Sequence, residues 1–111
     1  MAIHGVFHTL GRVLNPPVPT PLAQATEETD AWNELFAIPA NCEFARIKFS
    51  NAAYCMAGVS GTDPAQDGTA YQPNIVYPIP CGPGNDTLFV KNVTGGGGAD
   101  AACDVVFYCT E

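Results

Sequence analysis

Basic residues are scarce in this chain: four Lys and Arg stand against eleven Asp and Glu, a formal charge of −7. A surface of that sign repels nucleic-acid phosphates and anionic lipid headgroups, so neither nucleic acid nor membrane is an expected partner. Charge of either sign is thin, at 14% of residues, while hydrophobic residues reach 47%. That balance suits a subunit covered in an assembly better than a free-standing enzyme. No apolar run approaches the roughly 20 residues that cross a bilayer as a helix. No Cys-x-x-Cys occurs among Cys42, Cys55, Cys81, Cys103 and Cys109, which removes the thioredoxin-like and zinc-knuckle readings. The opening MAIHGVFHTLGRVLNPP lacks a basic leader, a long apolar run and a cleavage site. The expectation is a chain made without export, its odd number of thiols reduced and packed as small hydrophobes.

Signatures of catalysis and of bound cofactors are missing as well. The two histidines, His4 and His8, stand four apart, but Gly5 and β-branched neighbours argue against the helix that would make them joint metal ligands. Ser50 and Ser60 have no G-x-S-x-G context. The run Gly95–Gly98 is followed by Ala99 and Asp100, not by the Lys-Ser/Thr ending of a phosphate-binding loop, and reads as a hairpin-like connection between strands. Asp63 and Asp67 share a polar loop without the alternating ligands and closing Glu of a calcium site. Asn85 and Asn92 sit in glycosylation-type triplets that carry no meaning without export. The sequence therefore predicts no enzyme, no cofactor and no metal.

What the chain does have is a succession of short strands. In Cys42–Ser50, CEFARIKFS, Ala45, Ile47 and Phe49 fall on one side and Phe44, Arg46 and Lys48 on the other, because strand side chains alternate. A one-faced apolar strand needs a second layer to cover it. Trp32–Ile38 reads as a strand stopped by Pro39, and Tyr54–Ala57 reads as the partner of Cys42–Ser50 in a tight antiparallel pair. Residues 58–74 form a loop; Ile75–Ile79 is an edge strand or bulge because of Pro78; Thr87–Val93 and Asp104–Cys109 are the closing strands. Residues 1–10 suggest a further short strand. Pro16, Pro17, Pro19 and Pro21 favour an extended arm over sheet or helix in residues 11–31. The predicted organisation is all-β: an N-terminal segment and proline-rich arm in 1–31, and an antiparallel β-sandwich or jelly-roll-like domain in 32–111.

At this point the stretches FARIKFSNAAYCMAG and DTLFVKNVTGGGGADAACDVVFYC, separated by a polar loop, resemble small virion structural proteins of tailed bacteriophages, of the head decoration or cement type. The resemblance implies an adhesive, non-enzymatic role in the virion, with the major capsid protein or other virion proteins as partners and a homo-oligomer such as a trimer as the working form. It attaches no catalytic residues. An alternative in the same setting is a spike or tail module that recognises a host glycan or protein through the Asp63–Tyr71 loop. Candidate contact residues are the prolines Pro16, Pro17, Pro19 and Pro21, the aromatics Trp32, Phe36, Tyr54 and Tyr71, and Arg46 and Lys48.

Overall fold

A computed structural model describes residues 22–26, 31–93 and 101–109. The expectations for residues 1–10, for the four prolines between 16 and 21 and for the glycine run lie outside the described residues. Eight strands follow one another: β1 (Leu22–Ala25), β2 (Asn33–Ala37), β3 (Cys42–Phe49), β4 (Ala53–Gly58), β5 (Ala70–Tyr71), β6 (Val76–Pro80), β7 (Thr87–Asn92) and β8 (Ala102–Cys109). They form two four-stranded antiparallel sheets, β1-β8-β3-β6 and β2-β7-β4-β5, with no helix among the described residues. The all-β, sandwich-like reading holds.

The alternation read from CEFARIKF sets the packing. Ala45, Ile47 and Phe49 are fully buried, and on neighbouring β8 so are Val105 and Phe107. Ala53, Cys55, Leu88 and Val90 from β4 and β7 meet them in one apolar core. Two consecutive residues of β2, Leu35 and Phe36, are both buried, which strict alternation forbids. The register shift between Glu34 and Phe36 is the cause: the extra residue of a bulge turns the strand and sends successive side chains the same way. Phe36, a candidate contact, is thus a core residue whose ring meets Phe107 edge-on.

Strand pairing departs from the sequence reading in two places. β3 and β4 are not a tight pair, because they lie in opposite sheets. Ser50 still bonds the first sheet, its amide donating to the Ala102 carbonyl at 2.8 Å, whereas the Ala52 carbonyl already accepts from Val93 at the end of β7. The chain changes sheets within two residues. β7 and β8 likewise belong to different sheets, so they do not pair with each other. Among the described residues, β4 and β5 are the only consecutive strands that pair with each other.

The region assigned to an arm also contributes structure. Leu22–Ala25 pairs antiparallel with β8, from Leu22↔Val105 to Ala25↔Ala102, so the first sheet begins at Leu22, inside the segment 1–31. Proline, which removes the amide a ladder needs, ends at Pro21. β6 behaves as expected: Pro78 and Pro80 sit on an edge strand of the first sheet, where a missing donor costs least.

Candidate functional site

The outward face of sheet β1-β8-β3-β6 is the candidate site, and its register orders the side chains into three rows. Tyr108, Phe44 and Pro80 lie side by side in the first; Val106, Arg46 and Pro78 in the second; Asp104, Lys48 and Val76 in the third. Each follows from residue parity on the strand, since a residue next to a buried position points to the opposite face. Phe44 stacks on Tyr108 with ring centres 4.7 Å apart and planes 11° from parallel. The Arg46 guanidinium lies 5.7 Å from the Tyr108 ring centre, a cation–π distance. Val76 is 55% exposed, and Arg46, Lys48, Pro78 and Pro80 are exposed as well.

Arg46 and Lys48 are two of the chain's four basic residues. Asp104 stands opposite Lys48 in the ladder, yet the ion pair formed among the described residues is elsewhere, Lys91 to Asp67 at 3.0 Å. The basic pair is therefore displayed, flanked by apolar and aromatic groups, on a face with no carboxylate within ion-pair distance of it among the described residues.

The outer face of the other sheet is covered by its own chain. Phe89 is fully buried there, against Trp32 at 6.5 Å in an edge-on contact. A Cβ at Gly58 would come 3.3 Å from the Phe89 ring, so any other residue there would press that ring slightly out of place. Trp32 is half-buried, with the Lys91 ammonium 5.9 Å from its ring centre. Tyr54, half-buried, is paired with Lys91 and Ala70 across the ladders. Tyr71 stacks on Phe49 at 6.0 Å and touches Tyr77, so the aromatic of the Asp63–Tyr71 loop is spent on packing.

Two carboxylates hold the start of the long loop after β4. Glu34 accepts from the Ser60 hydroxyl at 2.6 Å and the Gly61 amide at 3.0 Å. Asp86 accepts from the Ser60 amide and the Thr87 hydroxyl, each at 2.9 Å. The Ser60 hydroxyl lowers the Glu34 pKa below its ordinary 4.5, with the Gly61 amide assisting. The Ser60 amide lowers that of Asp86 below 3.8, with the Thr87 hydroxyl assisting. Carboxylates with folded values below unfolded ones contribute stability above the unfolded values, and that contribution is lost as pH falls through the folded ones. Acidification below about pH 4 is thus expected to release the Ser60 and Gly61 amides before the sheets open. Amide exchange followed by NMR checks this, and Glu34→Gln should blunt the pH dependence at Gly61 while leaving core amides protected.

One end of the sandwich carries a cleft of about 750 Å³ between the turn before β3 and the turn after β6, lined among others by Ile38, Asn41, Cys42, Glu43, Gly82 and Asp86. Asn41 adopts a left-handed backbone, φ 61°, which asparagine tolerates better than most residues. Beneath lie three thiols: Cys42 Sγ is 3.3 Å from Cys81 Sγ, and Cys109 faces Cys42 across the β3–β8 ladder. Burial pushes the Cys42 thiol up to about 12 and Cys109 to about 11. Cys81 is raised too, again chiefly by burial. All are neutral at physiological pH, so none is a ready thiolate nucleophile. Among the described residues no three His, Cys, Asp or Glu side chains converge as a metal site.

Compared with known protein-family models, curated proteins and solved structures, the chain matches none.

Proposed function

We propose that this chain is a non-enzymatic virion structural protein of jelly-roll type, a decoration or cement subunit that binds the outside of a phage head and stabilises it. The observation that carries the reading is the strand order. β1 pairs with β8, β2 with β7, β3 with β6 and β4 with β5, the pattern obtained when one long antiparallel hairpin is rolled so that β8 also meets β3 and β7 meets β4. Two four-stranded sheets connected this way support the jelly-roll reading, an arrangement used by viral shells. Fold alone does not assign a role; the displayed Phe44–Tyr108, Arg46 and Lys48 face supplies the adhesive surface.

Its size favours many weak contacts. Three rows spaced two residues apart on three strands cover roughly 200 Å², against about 800 Å² per partner for a stable pairwise interface. A shell-bound homo-oligomer such as a trimer, helped by the proline-rich arm, multiplies such a contact through effective concentration. The capsid surface it fits is acidic with an apolar centre.

Purified shells lacking the protein provide the test. The wild type should bind saturably, and Arg46→Glu with Lys48→Glu should weaken binding about tenfold or more by reversing the charge that meets the partner. Both positions are exposed, so the melting temperature should barely move. Removing residues 1–21, which leaves β1 whole, should also lower occupancy. Unimpaired binding by the charge-reversed variant would sink the proposed face. Failure of the wild type to bind shells, with saturable binding to host surface material, would replace the reading with the spike or tail alternative.

A further inference from the structure

We propose that Cys42 and Cys81 are an oxidation site: in the folded chain they close an intramolecular disulfide on meeting a small-molecule disulfide, while Cys109 stays a thiol beside it. The two sulfur atoms are 3.3 Å apart, and a disulfide needs them at about 2.05 Å, an approach of little more than an ångström. The backbone already holds the pair in place. The Cys81 amide donates to the Glu43 carbonyl at 3.0 Å, continuing the β3–β6 ladder that ends at Phe44↔Pro80. Each cysteine also borders a turn residue with positive φ, Asn41 before Cys42 and Gly82 after Cys81.

Access gives the order of events. Cys42 lines the end cleft and is 7% exposed, whereas Cys81 is fully buried. The Cys42 sulfur, after losing its proton, attacks one sulfur of the small disulfide, forming a mixed disulfide and expelling a small thiolate. Cys81, deprotonated in turn, attacks Cys42 Sγ and expels the second small thiolate. The two protons pass to the departing thiolates. Two protein thiols are oxidised and one small disulfide is reduced to two thiols. The groups facing Cys42 are the Cys81 and Cys109 thiols, with the Glu43 and Asp86 carboxylates on the cleft wall. Because burial favours the protonated thiol, exchange is slow at neutral pH and speeds up about tenfold per pH unit into the alkaline range.

The other thiols do not compete equally. Cys109 stands opposite Cys42 and its thiol also interacts with that of Cys42, but the ladder shifts between Cys42 and Phe44, and the sulfur held 3.3 Å from Cys42 Sγ is that of Cys81. Cys55 and Cys103 lie on opposite sheets. The Cys42–Cys81 bond would enclose β4 and β5 within its loop and tie β3 to the edge strand β6. By shrinking the unfolded ensemble it should raise the melting temperature by on the order of 10 °C.

The full-length protein, first reduced and freed of reductant, is incubated with oxidised glutathione at about pH 8.5 and alkylated in denaturant, then mapped by proteolysis and mass spectrometry without reduction. The expected product has two fewer alkylated thiols, one peptide linking Cys42 to Cys81, and a raised melting temperature that dithiothreitol reverses. Cys109→Ala should form the same link, whereas Cys42→Ala and Cys81→Ala should not. The wild-type map and the Cys109→Ala map decide the matter even if the other variants fold poorly. Retention of all five alkylatable thiols in folded protein, a Cys42–Cys109 link, or dimers in place of the internal bond would each overturn the proposal.

Discussion

Replacing Phe107 with alanine is expected to cost about 3–5 kcal/mol, the largest effect of any single substitution considered. Phe107 is fully buried at the middle of the central strand β8, paired with Ala45 on β3 and meeting Phe36 of the opposite sheet at 6.5 Å. Its ring fills the space between layers, and Ala45 beside it is too small to spread into the void. The loss therefore combines the transfer energy of the ring with a cavity that cannot collapse. Against a total stability of about 5–15 kcal/mol, the variant should melt roughly 12–20 °C lower. A conservative Phe107→Leu should recover more than half of the difference. Denaturant unfolding checks both; a Phe107→Ala midpoint within error of the wild type would mean that the two sheets do not pack through this ring.

Asn92→Leu is expected to cost about 2–4 kcal/mol although it adds apolar bulk to a site in the interior. Asn92 is 2% exposed and Thr26 1%. The Asn92 carboxamide oxygen accepts from the Thr26 hydroxyl at 2.8 Å and from the Ala101 amide at 3.0 Å. That amide also approaches the Thr26 hydroxyl oxygen at 3.1 Å, and the Thr26 amide donates to the Ala101 carbonyl at 3.2 Å. Three chain segments meet here: the residue after β1, the end of β7 and the residue before β8. Leucine would leave a buried hydroxyl without its acceptor, which costs more than the hydrogen bond contributed. Thr26→Val removes the stranded donor, so the double variant should be less destabilised than the sum of the two singles by about 1 kcal/mol or more. Simple additivity in that cycle would show that the three groups do not act as one network.

Local pattern made part of this legible in advance. The two faces of β3 follow from CEFARIKF because the period of two survives intact from Phe44 to Phe49. Pro78 correctly marked β6 as an edge. β1 escaped notice because all four of its residues are exposed and its order comes from backbone pairing alone, which leaves no hydrophobic signature. Sheet membership escaped for another reason: the partners of β3 are β8 and β6, and a bend such as Ser50–Ala52 reads the same whether the chain returns to its own sheet or crosses to the other. Arg46 and Lys48 were found because charge is rare here. Tyr108 was missed because its place beside Phe44 depends on a long-range register. Phe36 was misplaced by the bulge in β2, and Cys42 and Cys81, 39 positions apart, carry no spacing signal at all.

The pairing of β1 with β8 also fixes a constraint on how the molecule is made. The first sheet has β8, the last of the eight strands, in its interior, bonded to both β1 and β3. Until β8 has been synthesised and has joined the sheet, β1 has no ladder and the inner faces of β3 and β7 have no complete cover. Most contacts span large sequence separations, a topology whose folding takes milliseconds to seconds. Apolar faces and strand edges stay open over that interval, so folding yield should depend on how promptly β8 takes its place in the sheet.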